Sequence, residues 1–191
     1  MTGDTATRIM DVAHKLLSER GFSAFSYADI AEAVQIRKAS IHHHFPTKAA
    51  LVVAVLERHR NRMIEATETL DRRIPSPLDR LKNYVGHWEA CIRTKSEPVC
   101  IAALLGAELP SLPAEVQAEV GKHFEHLKGW IARTLEQGVK DRSIALQSAG
   151  DVEADELMAV VHGAMISARI YGTSAVFQRI TENAIRHLSG S

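Results

Sequence analysis

The chain has 191 residues, 46% hydrophobic and 24% charged, and its Lys and Arg balance its Asp and Glu to a formal net charge of +0. This length supports a substantial core, the composition is that of a globular protein rather than a disordered or fibrous one, and the neutral balance excludes a whole-molecule attraction to polyanions. Two cysteines, Cys91 and Cys100, exclude a disulfide scaffold and read as reduced thiols of a cytoplasmic protein. Charges at Arg8, Asp11, Lys15, Glu19 and Arg20 break up any signal-peptide core, and uncharged runs such as Leu157 to Ala168 are too short to span a bilayer.

Ile9, Val12, Ala13, Leu16 and Leu17 recur at helical spacing, and Gly21 terminates that first helix. Ser26 then serves as the N-cap of a short helix, with Asp29 three residues on in the manner of a capping box. Ile30 and Val34 form its buried side, and a turn falls near Gln35. A second short helix follows, anchored by Ile36, Ile41 and Phe45, until Pro46 disfavours helical backbone at Phe45. Arg37, Lys38, Ser40, His42, His43 and His44 are the polar set around the Ile41 anchor, and no carboxylate occurs between Glu32 and Glu57. Two short helices at a sharp turn with a basic, acid-free second helix have the logic of a helix-turn-helix, whose second helix enters the DNA major groove.

The next apolar positions, Leu51 to Leu70, predict a helix from Lys48 to about Arg72, which Pro75 and Pro77 end. Leu78, Leu81, Val85, Trp88 and Ile92 mark the following one. Pro98 is placed at the first turn of a short helix from Val99 to about Ala107. A long helix runs from Ala114 past Val139, and two more begin near Asp151 and after Ser174. No strand, internal repeat or low-complexity tract is legible. The expected fold is all-α, with about nine helices: a three-helix helix-turn-helix DNA-binding head over residues 1–47 and a helical-bundle body for effector binding and dimerisation over residues 48–191.

The run from about Arg8 to Leu56 resembles the DNA-binding domain of the tetracycline-repressor (TetR) family of bacterial regulators. The resemblance rests on Gly21-Phe22, Ile30-Ala31, Lys38, Ile41, Phe45, Lys48 and Leu51. The sequence departs from the family pattern at Gln35 and Ala39, where glycine or a small residue is usual, and at His42, where relatives carry a phosphate-touching tyrosine. Gln35 must therefore tolerate the backbone of the turn, and an imidazole must replace a phenol. Among the candidate DNA contacts, Arg37, Ser40 and His43 are assigned to base edges, and Ser26, Tyr27, Lys38, His42 and Lys48 to phosphates. His44 completes the polar set.

The resemblance implies a homodimer on a palindromic, double-stranded operator, released by a small-molecule effector. Gly163, Ala164, Ser167 and Ala168 place small residues along one helix side, suited to close approach of another helix. The family builds its four-helix dimer interface from the last two helices, which adds Ile180 and Ala184; the same small residues would also pack inside one subunit. A ligand cavity is implied in the middle of the chain, with Met63, Tyr84, His87, Trp88, Cys91, Leu104, Phe124, Trp130, His162 and Met165 as candidate lining, although plain core is the alternative for each. His87 and His162 need a hydrogen-bond partner, which either a backbone carbonyl or an effector supplies. The apolar lining favours a hydrophobic or aromatic effector.

No enzyme motif is present: there is no GxGxxG, Walker loop, HExxH or GxSxG. An architectural DNA binder would carry a stronger positive charge and would not need the roughly 140 residues that follow the head. A ligand-independent or redox-responsive regulator remains the alternative. No cofactor and no metal are expected, since His42, His43 and His44 point about 100° apart on a helix and cannot share one ion. His123 and His126 have a workable spacing, but no second Cys/His pair accompanies them in sequence, which favours a solvated face.

Overall fold

The computed structural model describes residues 2–97 and 99–189, and among them every regular element is helical. The helices are α1 (Thr2–Arg20), α2 (Tyr27–Val34), α3 (Lys38–His44), α4 (Lys48–Arg73), α5 (Pro77–Thr94), α6 (Ile101–Ala107), α7 (Ala114–Lys140), α8 (Gly150–Tyr171) and α9 (Ser174–Leu188). One 3₁₀ turn, Leu109–Ser111, precedes α7. The expected boundaries hold to within two residues except that α1 begins at Thr2, before its first apolar position. Pro98 lies outside the described residues, and α6 starts at Ile101 rather than Val99.

Local chemistry explains the breaks. Gly21 takes the left-handed φ of 76° that ends α1, with its amide on the Leu17 carbonyl at 2.9 Å. Pro77 occupies the first turn of α5, where Ser76 Oγ accepts from the Asp79 amide. Lys95 (φ 58°) and Gly172 (φ 68°) close α5 and α8 in the same left-handed conformation.

The described residues form two compact units. Unit 1 comprises 1–61 and 101–123, and unit 2 comprises 62–100 and 124–191. In unit 1, α1 packs on α2, α3 and α6, around Ile9, Leu17, Ile30, Ile41, Leu51, Leu56, Ile101 and Leu105. Burying each such side chain is worth about 1.5–3 kcal/mol. In unit 2, α8 lies along α9, and α5 packs against both, with Leu81, Leu127, Ile131, Leu135, Met165 and Phe177 at the centre. No helix among the described residues is long and apolar enough to cross a membrane.

Candidate nucleic-acid interface

Helix α2 is locked at both ends. Ser26 Oγ accepts from the Ala28 amide at 3.2 Å, while the Ser26 amide and hydroxyl both donate to Asp29 Oδ2 at 2.7 Å, completing the expected capping box. These bonds hold the Asp29 carboxyl below the usual carboxylate range. At the other end Gln35 adopts φ 59° and ψ 48°, with its amide on the Ala31 and Glu32 carbonyls. The turn thus demands the left-handed backbone for which glycine is the easier residue.

Helix α3 is the opposite. Its N-cap, Arg37, makes no side-chain cap hydrogen bond, and there is no acidic residue in its first turn. Ile41 is its one fully buried side chain, at 0% exposure. Arg37, Lys38, Ser40, His42 and His43 are exposed, and His44 is half-buried with its ring 5.5 Å from that of His43. Phe45 is extended, as the following Pro46 requires. A single anchor therefore seats a helix whose remaining faces carry cationic and hydrogen-bonding groups.

Three of the expected phosphate contacts also make internal hydrogen bonds. The Ser26 hydroxyl is tied to Asp29. The Tyr27 hydroxyl donates to the Phe45 carbonyl at 2.8 Å, and burial raises its pKa to about 12. A phenol has one proton to donate, and here Tyr27 spends it bracing the exit of α3. Lys48 donates to the Phe25 carbonyl and lies over the Phe22 and Phe25 rings, 4.7 and 4.1 Å from their centroids. Burial pulls the Lys48 pKa down, while Glu108 and Asp29 oppose that shift. His42 remains exposed, edge-on to Tyr27 at 4.8 Å, with Nδ1 3.2 Å from the Pro46 carbonyl. These contacts depend on pairings 4 to 23 residues apart in sequence, which spacing rules do not register.

Glu108 has no counterpart among the sequence expectations. Its carboxylate accepts from the Phe22 amide at 3.0 and 3.2 Å, and a Cβ on Gly21 would lie 2.0 Å from Glu108 Oε1. Gly21 therefore serves both its own turn and the approach of a carboxylate 86 residues away from its neighbour Phe22. No local signal marks Glu108.

Of the candidate effector-lining residues, Leu104 belongs to unit 1 and the other nine to unit 2. Tyr84, Trp88, Trp130, His162 and Met165 are buried; Met63, Cys91, Leu104 and Phe124 are half-buried, and His87 is exposed. Tyr84 packs edge-on to Trp130 at 5.7 Å, and Phe124 edge-on to His162 at 5.2 Å. The Trp130 indole donates to Asp71 at 3.1 Å and is satisfied. The Tyr84 hydroxyl and His162 Nε2 are buried with no hydrogen-bond partner. Burial pushes the Tyr84 phenol up and lowers His162 from 6.5 to about 4. Cys91 is 3.6 Å from His87 Nε2, and burial pushes its thiol up, away from the thiolate a redox sensor needs. An open cleft of 130 Å³ bounded by Gln147, Glu153, Leu157, Ala184 and His187 is lined by none of the candidate effector-lining residues.

The small residues of α8 divide. Ala164 and Ala168 are 1% and 2% exposed, so they pack inside unit 2, one of the two arrangements their spacing allows. Gly163 is exposed, Ser167 and Ala184 are half-buried, and Ile180 is 36% exposed. A Cβ at Gly163 would meet nothing within 4 Å. Val152, Ile166 and Ile170 are exposed on the same helix at 44, 45 and 74%. His123 is also unlike its expectation, being 2% exposed, whereas His126 is exposed.

The family model for bacterial regulatory proteins of the tetR family matches residues 9–55, and that for the tetracyclin repressor-like C-terminal domain matches residues 77–184. A TetR family transcriptional regulator from Agrobacterium tumefaciens has a similar crystal structure, with 39% identity, a TM-score of 0.97, and coverage of 99% of this chain and 100% of that one. The HTH-type transcriptional repressor DhaR of Mycobacterium sp. (strain GP1) is 28% identical over 85% of this chain and 81% of its own length. The HTH-type transcriptional repressor NemR of Escherichia coli K12 is 25% identical over 97% and 92%.

Proposed function

The chain belongs to the TetR family and is a DNA-binding transcriptional regulator of the repressor type; from this premise we propose that α3 reads its operator, with Arg37, Ser40 and His43 at base edges and Lys38 and His42 at phosphates. The observation that carries this reading is the contrast around Ile41: α3 is seated by one buried side chain, while its exposed basic groups face no carboxylate of their own segment. Ser26, Tyr27 and Lys48 act as positioning residues, holding α2 and the exit of α3 in register.

A homodimer presents two such helices to successive major grooves about 34 Å apart, so the operator is palindromic. The exposed stripe Val152, Ile166, Ile170, with Ile180 on α9, supports this interface, and the open space at Gly163 lets a partner helix approach closely. The effector is a small, mostly hydrophobic molecule held in unit 2. Its polar anchors are the Tyr84 hydroxyl and His162 Nε2, which a ligand group would satisfy. The effector prefers a state that no longer matches the operator, and releases DNA by no more than its differential affinity for the two states.

Fluorescence anisotropy on DNA from upstream of the gene, against a scrambled duplex at two salt concentrations, tests the reading. Tight binding to the upstream fragment is expected, with Arg37→Ala losing about 1–3 kcal/mol of discrimination at one base pair and Lys38→Ala weakening all sequences and flattening the salt slope. Arg37→Ala that weakens every sequence equally would overturn the base-edge assignment.

A further inference from the structure

Given that α3 reads the operator, a premise on which this rests, we propose that His42 grips a phosphate only as the imidazolium, so that DNA binding takes up a proton at this residue. His42 Nδ1 lies 3.2 Å from the Pro46 carbonyl oxygen. A carbonyl oxygen only accepts, so Nδ1 carries the proton of that bond. The bond made by one ring nitrogen decides the state of the other, and in the neutral ring Nε2 is therefore bare.

A bare Nε2 is an acceptor, and so are the oxygens of a phosphodiester, which leaves the neutral ring nothing to offer a phosphate. Protonation turns Nε2 into a charged donor while the Nδ1–H bond to Pro46 stays in place. The ring is therefore already oriented, and its charge alone decides the contact. His42 is exposed and follows the exposed Lys38 by four residues, so the two side chains share one side of α3 and can close on neighbouring backbone oxygens. Its place in the last turn of α3, at the negative end of the helix dipole, favours the cation.

The surrounding groups do not replace the phosphate. From α2, Tyr27 meets the ring edge-on at 4.8 Å; its proton goes to the Phe45 carbonyl, and its pKa, raised to about 12, keeps it neutral. The carboxylates of α2 are Asp29, bonded to Ser26 and 3.6 Å from Arg20, and the exposed Glu32. At the start of α4, Lys48 is turned onto the Phe25 carbonyl. Along α3 itself stand Lys38, His43 and His44. Among the described residues no carboxylate pairs with His42, so the anion open to its charged form is one that DNA brings.

The test is operator anisotropy with the full chain at pH 6 and pH 8 and several salt concentrations, on the parent, His42→Gln and His42→Arg, with circular dichroism to check folding. The protonated ring is the binding form, so parent affinity should fall as pH rises, by roughly tenfold or more over this range. The charged contact also releases a counterion, so the parent's salt slope should be steeper at pH 6 than at pH 8 by about 0.9 for each His42 contact. His42→Gln, a donor at either pH, should lose this part of both dependences, and His42→Arg should keep at pH 8 the affinity that the parent has at pH 6. Titration of His43 and His44 is common to all three proteins and cancels in the comparison. Nitrogen-15 shifts of the DNA-free protein at pH 8, with His42→Gln to assign the signal, should show the Nδ1–H form of this ring. The Nε2–H form, or equal pH dependence in the parent and His42→Gln, overturns the proposal. Failure of the parent to bind the operator at either pH overturns the assignment of α3 itself, and the role of His42 with it.

Discussion

In unit 1 the polar groups around the helix-turn-helix satisfy one another: Ser26 with Asp29, Tyr27 with the Phe45 carbonyl, Lys48 with the Phe25 carbonyl, Glu108 with the Phe22 amide and Arg60 with Glu119. In unit 2 the Tyr84 hydroxyl and His162 Nε2 are buried without a partner. Each such group costs about 1–3 kcal/mol. A DNA-reading surface gains from a scaffold with one geometry, because a recognition helix out of register loses all its base contacts together. A ligand site gains from unsatisfied groups, because the molecule that satisfies them recovers the cost on binding. The paired groups around the helix-turn-helix and the two unpaired ones beside Trp130 and Phe124 fit the two tasks proposed for them.

The contrast breaks most severely at Ile41. Ile41→Ala should destabilise the protein by about 2–5 kcal/mol in urea unfolding and remove operator binding, since no other buried side chain seats α3. Operator affinity close to the parent's would mean that α3 is held by something other than this anchor.

Arg60→Met tests whether the pairing in unit 1 matters. Glu119 is buried, and without Arg60 its remaining ion-pair partner among the described residues is the exposed Lys122 at 3.1 Å. A loss of about 3 kcal/mol is expected at neutral pH, much of it recovered in the double variant with Glu119→Leu. Additive losses would show that the pair is not coupled.

For unit 2 the sharper probe is pH. His162 titrates at about 4 in the folded chain against 6.5 unfolded, so the unfolded state binds the extra proton between those values. Its contribution is intact above about pH 6.5 and is lost as pH falls toward 4, by roughly 3 kcal/mol in all. Unfolding free energies from urea at pH 7.5 and 4.5 should lie closer together in His162→Phe than in the parent by about 2.5 kcal/mol. An effector anchored at this imidazole should also lose affinity for the variant. An unchanged pH gap removes His162 from consideration as a buried neutral base.

The smallest expected effect is at the turn. Gln35→Gly should stabilise the protein by about 0.5–1 kcal/mol by relieving the left-handed backbone, with operator affinity unchanged. A loss of stability would show that the Gln35 side chain contributes contacts that outweigh the strain.

The sequence by itself determined the all-α fold, nearly all helix boundaries and the identity of α3 as the basic helix. Those features are local: apolar positions repeat with the helical period, Ser26 and Asp29 cap within one turn, and Gly21, Pro46 and Pro77 punctuate the chain whatever surrounds them. Only the tertiary structure decided that Lys48 and Tyr27 face inward, that Ala164 and Ala168 pack inside unit 2, and that His123 lies beside His59 and not on a wet face. A lysine that snorkels over two rings and a lysine that meets a phosphate have the same neighbours in sequence. What separates them is which carbonyls and rings long-range packing brings within reach, and Glu108 against Gly21 and Phe22 is the same lesson from the opposite side.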